Sequence, residues 1–175
     1  MNEYEFTLRF VLPSADADLD ALVDALYSQG CDDALVGVGR RGRLGLDFVR
    51  SADSASAALL SAIADVPKAV PGADLVEVTP DLVGVSDVAA MFGRTRQNMY
   101  KLMMGCSASA PAPAHEGNYS LWHLSSLLQW LSKEKQYQID SELMDLANAT
   151  MQVNLAMDSL RADPTTEQEL RVLFA

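Results

Sequence analysis

Between Tyr4 and Leu12 apolar and polar side chains alternate, with Tyr4, Phe6, Leu8 and Phe10 set against Glu5, Thr7 and Arg9. A period of two puts one kind of residue on each face of a strand, so the chain must open with a sheet covered on one side and wet on the other. The next segment supplies the cover. Asp16 to Gly30 carries Leu19, Leu22, Val23, Leu26 and Tyr27 at spacings of three and four, starts with acids and stops at a glycine, as an amphipathic helix does. Ala34 to Val38 and Leu44 to Val49 read as two strands around the turn Gly39-Arg40-Arg41-Gly42. Ser54 to Val66 is an Ala- and Leu-rich helix closed by Pro67 and Pro71-Gly72, and Leu75 to Val78 is a last short strand.

The order βαββαβ folds most simply as a four-stranded antiparallel sheet with two helices on one face, the ferredoxin-like arrangement. That reading makes the chain an α+β protein, with residues 1–79 its first domain. Thr79-Pro80-Asp81 is a plausible joint, because a proline and a turn-forming acid interrupt the pattern.

Composition bears on the partners. With 175 residues, 49% of them apolar, the chain has enough to bury that disorder is excluded. No apolar run reaches the ~20 residues of a membrane span, and Met1-Asn2-Glu3-Tyr4-Glu5 is acidic where a signal peptide is basic, so a cytoplasmic protein without a membrane partner is expected. The net charge of −11 argues against a nucleic-acid partner until it is divided. Residues 1–79 carry −7, residues 80–135 carry +1 and residues 136–175 carry −5. Fields act over roughly a Debye length of ~8 Å, so the middle segment must be judged by itself.

In that segment Val85 to Gly93 reads as a helix capped by Ser86, and Thr95 to Met104 as a second, capped by Thr95, with a tight turn at Gly93. Val88, Ala89, Phe92, Met99, Leu102 and Met103 fall where two crossing helices bury their contact. Arg94, Arg96, Gln97, Asn98, Tyr100 and Lys101 bunch around the start of the second helix. Arg96 and Lys101 suit phosphate or guanine, and Gln97 or Asn98 can pair with adenine.

From Val85 to Leu131 these residues resemble the winged helix-turn-helix of the MerR and excisionase type. The resemblance covers the helix pair, a small strand pair formed by Pro111 to Ala114 and Tyr119 around the turn His115-Glu116-Gly117-Asn118, and a helix from Trp122 to Leu131. It implies a domain over residues 80–135 that binds double-stranded DNA. Thr95, Arg96, Gln97, Asn98, Tyr100 and Lys101 would enter the major groove, and His115 and Asn118 would touch the flanking backbone or minor groove. Trp122 and Trp130 read as core residues rather than base-stacking ones.

Other chemistry finds no support. Gly37-Val38-Gly39-Arg40-Arg41-Gly42 matches a dinucleotide fingerprint, but a strand and not a helix comes after it, so a hairpin turn is expected. Arg40, Arg41 and Arg43 make a positive patch there, open to an acidic partner, nucleic acid or solvent. Asp16, Asp18 and Asp20 imitate the start of a calcium loop that lacks its glycine and its closing glutamate. His115 and His123 have no companions at metal-ligand spacing. Cys31 and Cys106 have no paired spacing and read as small hydrophobes. No nucleophile with a base partner is apparent, so neither an enzyme, a metal nor a cofactor is expected.

Residues 136–175 form a third, helical segment. Ile139, Leu143, Leu146, Thr150, Val153, Met157 and Leu160 repeat at alternating spacings of four and three, a heptad seam with one polar interruption. Such a seam suits pairing with a second copy, which would give a two-fold reader of two half-sites, or packing against the chain's own domains. Asp163-Pro164 caps a last helix whose Leu170, Leu173 and Phe174 form an apolar edge. The leading expectation is a homodimeric, cytoplasmic, bacterial-type transcriptional regulator whose first domain binds a protein or small-molecule partner. The alternative is an acidic interaction module, an antitoxin or inhibitor that binds a basic protein.

Overall fold

The computed structural model describes residues 1–37, 39–105 and 109–174. Val38, expected at the end of a strand, and Cys106, expected as a small hydrophobe, lie outside the described residues. The protein is an α+β chain, 50% helix and 21% strand.

The opening alternation forms β1 (Asn2–Val11), with Tyr4, Phe6, Leu8 and Phe10 all buried. After it come α1 (Leu19–Ser28), β2 (Ala34–Gly37), β3 (Arg43–Ala52), α2 (Ala55–Ala69) and β4 (Asp74–Thr79). These four strands make one antiparallel sheet in the order β2-β3-β1-β4. β1 and β3 pair over ten residues each, and Phe6 stacks on Phe48 with ring centroids 5.3 Å apart. Leu22 and Leu26 from α1 and the small face Ala55, Ala58, Leu59, Ala62 and Val66 of α2 complete the first core.

α1 is capped by Asp18, whose carboxylate accepts the amides of Asp20 and Ala21, while Asp16 pairs with Arg41. α2 does not stop at Pro67 but runs to Ala69. Proline lacks its own N–H and crowds the carbonyl four residues back, but its φ is helical, so a turn can still close beyond it, here by Val70 N to Val66 O at 2.8 Å.

One charge enters the first core. Arg50 is 8% exposed, and each of its guanidinium nitrogens has an oxygen partner. Nε and Nη2 donate to Asp33 at 2.7 and 2.9 Å, Nη1 donates to Asp65 at 3.0 Å and Ser61 at 3.1 Å, and Nη2 also reaches the Gly30 carbonyl at 2.6 Å. A buried guanidinium is tolerable only when its donors are satisfied in this way.

Past the joint the chain forms β5 (Leu82–Val83), α3 (Val85–Met91), α4 (Arg96–Gly105), β6 (Trp122–His123), α5 (Leu124–Lys135), α6 (Ser141–Arg161) and α7 (Pro164–Leu173). β5 pairs with β6, and a second core collects Val83, Val88, Ala89, Met99, Met103, Trp122, Leu124, Leu127, Leu128, Trp130 and Leu131. Both tryptophans are buried there, as expected. Trp122 Nε1 donates to the Pro111 carbonyl at 3.1 Å and Trp130 Nε1 to Ser109 Oγ at 3.2 Å.

The heptad seam is largely taken up within the chain, the second of the two uses its spacing allows. Ile139 precedes α6 and packs, with Leu143, against the second core. Leu146 is buried in the first core and Val153 packs on it, while Ala147, next to Leu146, belongs to the second. α6 is therefore a wedge between two cores, and its successive turns face different neighbours. Thr150 interrupts no seam: it is fully buried, and its hydroxyl donates to the Pro80 carbonyl at 2.6 Å. Met157 is half-buried and Leu160 is 86% exposed. α7 buries no residue.

Candidate nucleic-acid interface

The turn between α3 and α4 is set by local chemistry. Gly84 rather than Ser86 caps α3, and the Asp87 carboxylate accepts the Gly84 amide at 2.8 Å. α3 ends where Gly93 takes φ +59, a conformation that a side chain would strain, and the Arg94 amide folds back to the Ala89 carbonyl at 2.8 Å. Thr95 then caps α4 as its sequence predicts, accepting the Asn98 amide at 3.2 Å. Ala89 is buried at the crossing, with Val88, Met99 and Met103 beside it, while Phe92 and Leu102 are half-buried. Phe92 meets Tyr137 edge to face at 5.3 Å, which ties the turn to the chain beyond α5.

This packing turns the other side of α4 outward. Arg94, Thr95, Arg96, Gln97, Asn98, Tyr100 and Lys101 are all exposed. Arg94, Arg96 and Lys101 have no ion-pair partner among the described residues, in a chain that holds 24 acids. A face with three such cations and two carboxamides at a helix start can donate to phosphate and to base edges together.

The segment after α4 departs from expectation. Pro111 to Ala114 and Tyr119 form no strand pair; a single bridge joins His115 and Leu121, each amide donating to the other's carbonyl, at 3.2 and 2.9 Å. Two prolines in four residues remove the donors that a ladder needs, and the Pro111 carbonyl is already taken by Trp122. The bridge nevertheless closes a loop on which His115, Glu116, Gly117, Asn118 and Tyr119 are exposed. The helix expected from Trp122 begins at Leu124, because Trp122 and His123 pair with Val83 and Leu82 first.

Sequence reasoning missed the polar joint behind this unit. Asp81, read as a turn former, is 2% exposed and accepts from Asn154 Nδ2 at 2.8 Å, with His123 Nδ1 at 2.7 Å on its other oxygen. Its carbonyl accepts the Leu124 amide at 2.7 Å, which fixes the start of α5. The signal was the acid directly after Pro80, but its partners are 42 and 73 residues away. On the other flank of α6, the Asp145 carboxylate accepts both the Tyr4 hydroxyl at 3.0 Å and the Ala55 amide at 2.8 Å. The unit that carries α4 is thereby fastened to the sheet.

No match to this chain was found among protein families, curated proteins or solved structures. Among the described residues no helix is long and apolar enough to cross a membrane.

Proposed function

We propose that the chain is a sequence-specific double-stranded DNA-binding protein, a transcriptional regulator that lays α4 in the major groove. The observation that carries this reading is the outward face of α4, where Arg94, Arg96 and Lys101 stand beside Gln97 and Asn98 without an ion-pair partner among the described residues. In this reading β5, α3, α4, the loop 115–121, β6 and α5 act as a winged helix-turn-helix, with His115 and Asn118 on the wing. The sheet order β2-β3-β1-β4 and the element order βαββαβ support a ferredoxin-like first part. Dimerisation then falls to the uncovered end of the chain, Leu160 with Leu170, Leu173 and Phe174, rather than to Leu143 and Leu146. The reading is tested by anisotropy titration over random and genomic duplexes at low salt. Absence of binding, or binding indifferent to Arg96→Ala with Lys101→Ala, overturns it.

A second reading, an acidic module for a basic partner, has its own support. A groove between the sheet and α3 combines Glu5, Asp47, Glu77 and Asp87, four acids against the single cation Arg9 of its described lining, with exposed Leu35, Val49, Leu82 and Met91. It predicts a stable complex with a basic protein and no duplex preference.

A further inference from the structure

The uncovered face of the sheet holds an arrangement that the DNA reading does not use. Hydrogen-bonded neighbours place Gly37, Gly45, Arg9 and Glu77 in one row across β2, β3, β1 and β4. Two adjacent glycines leave a floor of bare peptide with Arg9 at its edge. The backbone does not require them. Neither has a positive φ, and a Cβ at Gly45 would meet only the Gly37 carbonyl oxygen at 3.6 Å, an ordinary contact. Glycine within a strand weakens it relative to alanine, and its usual reason is the close approach of another group.

Over this floor lies a cleft of ≈720 Å³, walled by Val76 on one side and rimmed by Arg9, Arg40 and Arg43. Among its described lining residues Asp47 is the one carboxylate, and it is engaged by the Thr7 hydroxyl at 2.7 Å. Arg9 reaches Glu77 at 3.4 Å, but Arg40 and Arg43 are exposed and have no carboxylate partner among the described residues. In a chain of −11 most of the surface repels an anion, whereas here it meets three guanidinium groups. Guanidinium forks match phosphate oxygens in pairs, and the cleft is within the ~300–1,000 Å³ usual for small-molecule sites. The outward residues Glu5, Thr7, Arg9, Asp47, Val49 and Glu77 include no aromatic ring, so the face lacks the platform that stacks successive bases of a single strand.

We propose that this cleft binds a phosphate-bearing small molecule of nucleotide size, its phosphate held by Arg40 and Arg43 and its planar ring resting on the Gly37–Gly45 peptides against Val76. The full chain is titrated with ATP, GTP, ADP and AMP, each followed by calorimetry, with pyrophosphate and a single-stranded oligonucleotide as separate arms. Saturable binding of at least one nucleotide is expected, at least tenfold tighter than pyrophosphate. Arg40→Ala with Arg43→Ala should weaken it at least tenfold. Gly45→Val should do the same while melting at the same temperature or higher, since valine suits a strand and fills the floor. Arg96→Ala with Lys101→Ala should leave nucleotide binding unchanged, which separates this site from the DNA face. The proposal fails if no nucleotide saturates, if pyrophosphate binds as well as the nucleotides, if the two cleft variants bind like the parent, or if the oligonucleotide alone binds.

Discussion

Asn154 pairs with both backbone groups of Val78. Its Oδ1 accepts the Val78 amide at 2.9 Å and its Nδ2 donates to the Val78 carbonyl at 2.8 Å, so one carboxamide from α6 stands where a further strand's peptide would lie against β4. The same Nδ2 has a second proton, which goes to Asp81. Asn154→Leu leaves an amide, a carbonyl and a buried carboxylate without that partner. Unsatisfied buried groups cost about 1–3 kcal/mol each, partly relieved by water, so a loss of about 3 kcal/mol is expected in urea unfolding. A loss below about 0.5 kcal/mol would mean that the β4 edge is held by something else.

Arg50 and its acids give the fold an acid limit. Burial pushes the Asp65 carboxyl up, but hydrogen bonds from Lys68 and Arg50 outweigh it and hold the group below its ordinary value. A carboxyl depressed by folding contributes stability that is present above its unfolded pKa of about 3.9 and is lost as pH falls through the folded value. Stability should therefore decline below about pH 4. Arg50→Met should cost about 3–5 kcal/mol at neutral pH by leaving Asp33 and Asp65 facing each other, and should flatten the acid-side decline. An acid limb of unchanged slope in the variant would show that other carboxyls set the limit.

Cys31 sits in the first core beside the same acids. Burial, and then the charge of Asp65, pushes its thiol up to about 11. The reactive thiolate is then scarce at pH 8, and access is blocked as well. With Cys106 replaced by Ser so that one thiol is counted, labelling by a disulfide reagent at pH 8 should be at least a hundredfold slower in the folded chain than in urea. Rapid labelling of the native chain would contradict the burial.

If α4 reads DNA, its cations and its carboxamides should act differently. Arg96→Ala and Lys101→Ala should weaken all duplexes alike and each reduce the salt slope by about 1, because each phosphate contact releases its counterions. Gln97→Ala should cost about 1–3 kcal/mol on the preferred site and little on random duplex. Equal losses for Gln97→Ala on both kinds of duplex would count against base reading.

The uncovered end of the chain makes a separate prediction. Leu160, Leu173 and Phe174 are 86%, 75% and 87% exposed, and α7 buries none of its residues. Ending the chain at Ala162 together with Leu160→Glu should convert a dimer to a monomer in light scattering, with a melting temperature within about 2 °C of the parent. A parent chain that is already monomeric at tens of micromolar would remove dimerisation from the functional reading.

Much of the fold was legible where neighbours in sequence decide the structure. The alternation at Tyr4, Phe6, Leu8 and Phe10 fixed a face, and Thr95 with Gly93 fixed a turn, because strand period, cap and left-handed turn act within a few residues. The wing strands were misread because Pro111 and Pro113 look like turn punctuation in either arrangement, while the partner that decides is Trp122, eleven residues on. Thr150 looked like a flaw in a heptad because its shortest hydrogen bond, to the Pro80 carbonyl, spans 70 residues. The same holds for Asp81 and Asn154. Polar groups that satisfy one another across the fold leave no periodic trace in the chain.

The seat of α6 also bears on inheritance. With Leu146 and Ala149 in the first core and Ala147 in the second, removing α6 takes part of the first half's interior, and removing the sheet bares the face of α6 that covered it. The two halves are not cassettes that recombination could exchange singly. They should melt in one calorimetric transition, and a cut at the Thr79–Pro80 peptide should yield a first fragment short of part of its core and a second with an apolar face of α6 laid bare.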